Sequence, residues 1–139
     1  MLGASDFVGH WRLERRIEDR LSGLPGYLNG TARLSGSGDE LTYDETGDFR
    51  IGDGPAMVAQ RRYLWRFLGT HVDVRFADGA PFHSFVPTGQ AAGTDHPCGA
   101  DFYQVRYDFE NWPNWQATWT VRGPRKDYTS TSDYSPQEP

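Results

Sequence analysis

Apolar and polar positions alternate with period two along most of the chain, the pattern of half-buried strands rather than of helices. Over 10–18 the odd positions Trp11, Leu13, Arg15 and Ile17 oppose His10, Arg12, Glu14, Arg16 and Glu18. The same alternation collects Leu28, Gly30, Ala32 and Leu34 over 27–34, and Leu41, Tyr43 and Glu45 over 41–45. It collects Ala59, Arg61, Tyr63, Trp65 and Phe67 over 59–67, and Val72, Val74 and Phe76 over 72–76. Asp101, Tyr103, Val105, Tyr107 and Phe109 share a face over 101–109, and Trp115, Ala117, Trp119 and Val121 over 115–121. Two further strands are expected over 81–86 and 125–131. No stretch free of both Gly and Pro exceeds 13 residues, which leaves long helices nowhere to sit. One competing pattern stands: Leu13, Ile17 and Leu21 also fit helical spacing, so 13–22 reads alternatively as a short helix.

About nine strands with short connections form an antiparallel meander, and such a sheet escapes its own edges by closing on itself. The expected fold is therefore all-β: one closed antiparallel barrel of about 8–10 strands over 1–131, followed by a loose tail over 132–139. Turn chemistry tests the faces. Asp78 and Gly79 signal a two-residue hairpin that pairs Ala77 with Ala80, Phe76 with Pro81 and Val74 with His83. The loop 68–71 sets Phe67 opposite Val72 and Trp65 opposite Val74. Trp65, Val74 and His83 then make one inward row across three strands, unless a bulge turns His83 outward.

The rings of eight Phe, five Trp and seven Tyr outnumber the Ile, Leu and Val side chains together, which favours a barrel interior over a helical bundle. A net charge of −5 and no basic cluster exclude a non-specific nucleic-acid binder, because Arg12 to Arg20 are interleaved with Glu14, Glu18 and Asp19. No uncharged run is long or apolar enough for a membrane span. The start, Met1 to Asp6, has neither the basic nor the apolar region of a secretory signal. Cys98 is the single cysteine, so no internal disulfide forms and a cytoplasmic location is expected. A homodimer is compatible with these features.

Phe7, Gly9 and Trp11 carry a Gly-x-Trp phrase at the start of the first strand. It resembles the signature of lipocalins and their calycin relatives. Further phrases strengthen the likeness: Trp11 to Arg15, Tyr43 to Gly47, Arg62 to Trp65, Phe76 to Gly79, Phe82 with His83, His96 to Tyr103, and Gly123 to Tyr128. Together they look like a bacterial family of lipocalin-like barrels of unknown function. The resemblance implies that Trp11 plugs the closed end of the barrel and that Arg125, from the last strand, covers its indole. It implies a fold and leaves the activity open.

The inward polar groups carry the candidate chemistry. Arg15, Glu45, Arg61, His83 and Asp101 all fall on the inward face, beside Tyr43, Tyr63, Trp65, Tyr103 and Tyr107. Buried charges persist when they pair, meet water or meet a ligand. One reading is an internal salt-bridge network of Arg15 and Arg61 with Glu45 and Asp101. The other is a pocket with aromatic walls in which Arg15 and Arg61 grip an anion and Asp101 orients His83. The expected function is thus a small-molecule binding protein for an aromatic or apolar acid. Two alternatives are an isomerase, cyclase or hydrolase using His83 with Asp101 or Glu45, and an interaction module whose barrel is filled. A cavity above ~300 Å³ favours the ligand. No cofactor is expected, since His83, His96 and Cys98 lack any standard zinc spacing and a lone His83 is thin support for haem. Asn111 to Asn114 reads as a tight turn carrying an exposed Trp112.

Overall fold

Each of the nine expected windows forms a strand in the computed structural model, which describes residues 1–137. A helix of one turn, α1 (Ala4–Phe7), precedes β1 (Gly9–Asp19), β2 (Pro25–Ser37), β3 (Glu40–Ile51), β4 (Met57–Phe67), β5 (Val72–Phe76) and β6 (Pro81–Phe85). Two short strands follow, β7 (Gln90–Ala92) and β8 (His96–Cys98), then β9 (Asp101–Asp108), β10 (Trp115–Gly123) and β11 (Lys126–Pro136). All pairings are antiparallel, in the order β6-β5-β4-β3-β2-β1-β11-β10-β9-β7, with β8 on β9. The result is a nearly closed lipocalin-like barrel. Its seam lies between β6 and β9, where the intervening residues stitch the edges: Gly93 N–H donates to Val105 O at 2.6 Å and Thr94 N–H to Ser84 O at 2.9 Å.

Two expectations about the elements are corrected. The helical reading of 13–22 fails, because residues 13–19 continue β1, with 13–18 paired to both β2 and β11. The loose tail fails for 132–136, which complete β11; residues 138–139 of that tail lie outside the described residues. The inward face of β11 is Ser130, Ser132 and Tyr134, all buried. Hydroxyl side chains supply that alternation, so an apolar pattern does not show it.

The inward row is present: Trp65 pairs with Val74 and Val74 with His83. Above it the register slips. A bulge between Val74 and Arg75 sets Arg75 opposite Pro81, and Phe76 N–H donates to Ala80 O at 2.9 Å. Phe76 is therefore not opposite Pro81, nor Ala77 opposite Ala80. The extra residue turns Phe82 inward beside His83, and both are buried. On the opposite wall Gly30 faces Gly47 across β2 and β3. A Cβ on Gly30 would land on the Thr46 carbonyl oxygen, so only glycine permits this close crossing.

One end of the barrel is plugged by rings. Phe7 has no exposed surface and meets Trp65, Phe109, Trp112 and Trp115 edge-on, with centroids 5.0–5.8 Å apart. Trp11 packs against Trp112 and Trp115 and donates its indole N–H to Phe7 O at 2.9 Å. The expected cover from Arg125 is absent. Arg125 is exposed in the turn between β10 and β11, where Gly123 pairs with Lys126, whereas Trp11 pairs with Pro136. Those two places are roughly 30 Å apart along β11. Trp112, expected to be exposed, is half-buried and takes the covering role.

Candidate functional site

The middle of the barrel holds a closed polar network. Arg15 projects inward from β1, Glu45 and Tyr43 from β3, and Ser132 and Tyr134 from β11, since directly opposed residues share a face. Arg15 donates from Nη1 to Glu45 Oε2 at 2.7 Å, from Nη2 to Glu45 Oε1 at 2.9 Å and from Nε to Ser132 Oγ at 2.7 Å. Tyr43 donates its hydroxyl to Glu45 Oε1 at 2.7 Å and lies 2.7 Å from the Tyr134 hydroxyl. The Arg15 and Glu45 side chains are only 6% and 2% exposed. Burial works against both charges, but the bidentate bond and the mutual charge outweigh it. The Glu45 carboxyl is held below its ordinary value and the Arg15 guanidinium is held protonated. Burial, with the neighbouring Glu45 charge, pushes the Tyr43 phenol up and Tyr134 up to about 12. The network is electrically neutral, and Arg15 is committed to the chain's own carboxylate. Its expected anion-gripping role is corrected accordingly.

His83 sits apart from every expected carboxylate partner. Its Nε2 lies 2.8 Å from the Tyr107 hydroxyl, across the seam. Burial, reinforced by the charge of His96, lowers its pKa to about 3, so the ring is neutral at neutral pH. Asp101 stands at the far end of β9, where it pairs with Lys126 at 3.3 Å, and Glu45 belongs to Arg15. The acid–base pair of His83 with Asp101 or Glu45 is therefore not formed, and Asp101 does not orient His83. His83, His96 and Cys98 do not gather either: His96 packs edge-on against Phe82 at 5.3 Å, and Cys98 is exposed in the β8–β9 hairpin. Among the described residues no three His, Cys, Asp or Glu side chains cluster as a metal site.

The other expected residues form the upper aromatic wall. Trp65 stacks on Tyr43 at 5.9 Å, and Tyr63 meets Tyr43, Phe76, Phe82 and Trp119 at 5.8–6.2 Å. Burial pushes the Tyr63 phenol up. Tyr103 packs edge-on against Phe82 at 5.7 Å and accepts from Lys126 Nζ at 3.3 Å. Arg61 faces Glu45 across β3 and β4 but is exposed at the open end, its guanidinium 5.6 Å from the Trp119 ring. It forms no ion pair among the described residues.

Between the network and His83 lies a small cavity of about 20 Å³, lined by Arg15, Tyr43, Glu45 and Tyr134 of the network and by Trp65, Val74, Phe82, His83, Tyr107, Trp115 and Trp119 among others. That volume holds about one water-sized group, far below a drug-sized pocket. Two buried nitrogens of this lining have no hydrogen-bond partner, His83 Nδ1 and Trp115 Nε1. Sequence reasoning placed Trp115, Trp119 and Tyr107 on the inward face without assigning them to the site. It missed Ser132 and Tyr134, whose signal was the hydroxyl alternation continuing past residue 131, and Phe82, which the bulge turns inward.

This architecture, a nearly closed antiparallel barrel with one end plugged and a polar network inside an aromatic cage, is a lipocalin-like fold. The chain belongs to a family of unknown function, DUF6314, whose family model matches residues 7–136. No curated protein matches it. Among solved structures it is similar to the S-type phycobiliprotein lyase CPES from Guillardia theta, with a TM-score of 0.71 and 9% identity, over 98% of this chain and 91% of that one. It is also similar to a protein of unknown function from the DUF3598 family of Nostoc punctiforme, with a TM-score of 0.61 and 12% identity, over 96% of this chain and 48% of that one. At these identities the likeness is one of fold. No helix among the described residues is long and apolar enough to cross a membrane.

Proposed function

We propose that the chain is a cytoplasmic small-molecule binding protein that takes an aromatic or apolar acid through the open end of the barrel. The observation that carries this reading is Arg61: a guanidinium on the inward face, 5.6 Å from the Trp119 ring and without a carboxylate partner among the described residues, at the head of an aromatic wall. Arg15 is not part of the anion site, because Glu45 already neutralises it. The acid's ring replaces contacts among Tyr63, Phe76, Tyr103 and Trp119, which are half-buried and meet through ring edges rather than hydrogen bonds with one another. The guest's ring enters only where these half-exposed rings move apart at the open end, since the interior has no free space of its size, whereas a charged guest inside the closed network would be unpaired. The exposed, unpaired Cys98 supports a reducing compartment. The fold shared with a phycobiliprotein lyase supports a barrel of this shape without naming the ligand.

Calorimetric titration with 2-naphthoate and 2-naphthamide tests the reading. The acid should bind more tightly than the amide, and Arg61→Gln should remove the difference. Because Arg61 is exposed, the charge contributes only about 1 kcal/mol, roughly fivefold in affinity. Equal binding of acid and amide would remove the anion site. Binding of neither would leave the second reading, an interaction module, which the nearly filled interior favours.

A further inference from the structure

We infer that the cavity between the polar network and His83 is a receiving site for one neutral hydrogen-bond acceptor, a ligand carbonyl oxygen, formed by Trp115 Nε1–H and His83 Nδ1–H. The inference rests on the proposed ligand-binding reading and adds a second, uncharged recognition point to it. Both residues line the same cavity, each is at most 5% exposed, and neither nitrogen has a hydrogen-bond partner among the described residues. An indole N–H can only donate. The state of His83 follows from Tyr107. Burial holds the Tyr107 phenol well above its ordinary value, so its hydroxyl keeps its hydrogen. Among the described residues that hydroxyl has one hydrogen-bond partner, His83 Nε2 at 2.8 Å. If Tyr107 donates to Nε2, the phenol is satisfied and the single ring hydrogen of a neutral imidazole sits on Nδ1. In the opposite arrangement Nε2–H donates, and the phenol hydrogen is left in an apolar core without an acceptor. The first arrangement leaves two buried donors and no acceptor to meet them.

The chemistry of the guest at this point is thereby restricted. A hydroxyl or amine hydrogen finds nothing to donate to at these two groups. A carboxylate would bring a charge that Arg15, saturated by Glu45, cannot balance. A carbonyl oxygen has two lone pairs, carries no charge, and fits a space of about 20 Å³ while its body lies among the rings. An elongated ligand with an acid at one end, near Arg61, and a ketone or lactam carbonyl at the other satisfies both points.

The test compares 6-acetyl-2-naphthoate with 6-isopropyl-2-naphthoate by calorimetry, alongside imidazole and indole ¹⁵N spectra of the protein. The acetyl compound should bind roughly five- to tenfold more tightly, since it supplies the acceptor that the isopropyl group lacks. It should also shift the Trp115 indole signal, assigned by its loss in Trp115→Phe. The free protein should show His83 as the Nδ1–H tautomer, and Tyr107→Phe should release that tautomer and shrink the acetyl advantage. Equal affinity for the two compounds overturns the acceptor site while leaving the binding reading intact. Binding of neither overturns both. An Nε2–H tautomer of His83 in the wild-type protein overturns the donor geometry whatever the binding result.

Discussion

Arg15 and Glu45 set the electrostatics of the whole interior. Two charges this deeply buried lose hydration worth several kcal/mol each, and the pair persists because three further polar groups complete it. Removing one partner leaves the other charge uncompensated. Glu45→Ala should therefore cost about 3–5 kcal/mol in urea melts, whereas the double change Arg15→Met with Glu45→Met should cost much less than the sum of the single changes. Additive losses would contradict the pairing. Two groups of opposite chemistry then shape the acid limb. The folded pKa of Glu45 is depressed, so its contribution is present above the ordinary value of 4.5 and is lost as pH falls through the lower folded value. The His83 pKa is also depressed, from 6.5 to about 3, by burial first and by the His96 charge second, with Asp73 opposing. The unfolded chain then binds the extra proton, so stability is full above pH 6.5 and falls by about 1.4 kcal/mol per unit between there and pH 3. Urea melts between pH 7 and 5, above the Glu45 window, should lose about 2 kcal/mol in the wild type, steepening toward pH 5, and should not show that loss in His83→Phe. An unchanged slope in the variant would assign the acid sensitivity elsewhere.

At the scale of elements, the two ends of the barrel differ in kind, one sealed by rings and the other lined by a half-exposed aromatic wall. The seal depends on α1 and β1, through Phe7 and Trp11, and on the turn that delivers Trp112. Trp11→Ala should cost about 3–5 kcal/mol as a large-to-small change at a buried ring. Arg125→Ala, in an exposed turn at the opposite end, should stay within about 0.5 kcal/mol of wild type. A large loss from Arg125→Ala would restore it as a barrel cover. This contrast also explains what was legible in the sequence. Period-two alternation assigns each residue to a face, and those assignments hold from Trp11 to Val121 except at the β5–β6 bulge, which turns Phe82 inward beside His83. Alternation does not say how high along the barrel a residue stands. Asp101 and His83 share the inward face, yet Asp101 pairs at the open end with Lys126 while His83 meets Tyr107 at mid-height. The Arg125 cover came from the resemblance rather than from alternation, and it fails because Arg125 sits in the β10–β11 turn while Trp11 pairs with the far end of β11. The pairing of Arg15 with Glu45 was legible as one of two alternatives, because both fall on one face near the middle of their strands. The strands β7 and β8 were not legible: three residues each is too short for any alternation to register.

The molecule as a whole is a barrel with one weak line. Every neighbouring pair of strands from β6 round to β9 shares a ladder, broken only by the β5–β6 bulge, but β6 and β9 share none. Their edges are joined through Gly93 and Thr94, with Ser84 N–H donating to Thr94 Oγ1 at 2.9 Å and Thr94 N–H returning to Ser84 O. Side chains complete the closure: Tyr107 stacks on Phe85 at 3.9 Å, and His83 bonds to the Tyr107 hydroxyl. A bridge of a few backbone bonds opens at a lower free energy than a full ladder, because fewer bonds break together. Amide hydrogen exchange should therefore show Ser84, Gly93 and Thr94 exchanging by local opening, well ahead of Leu13 and Ala32 in the central β1–β2 ladder. Thr94→Val, which removes the acceptor for Ser84 N–H, should speed exchange at Ser84 further while lowering global stability by only about 1 kcal/mol. The seam borders His83, Phe82 and Tyr107, so its opening would give a ligand a lateral way to the cavity beside His83 without disturbing the ring plug. Exchange at Ser84 and Thr94 as slow as at Leu13 would mean that the seam opens only by unfolding, and would leave the open end beside Arg61 as the way in for any guest.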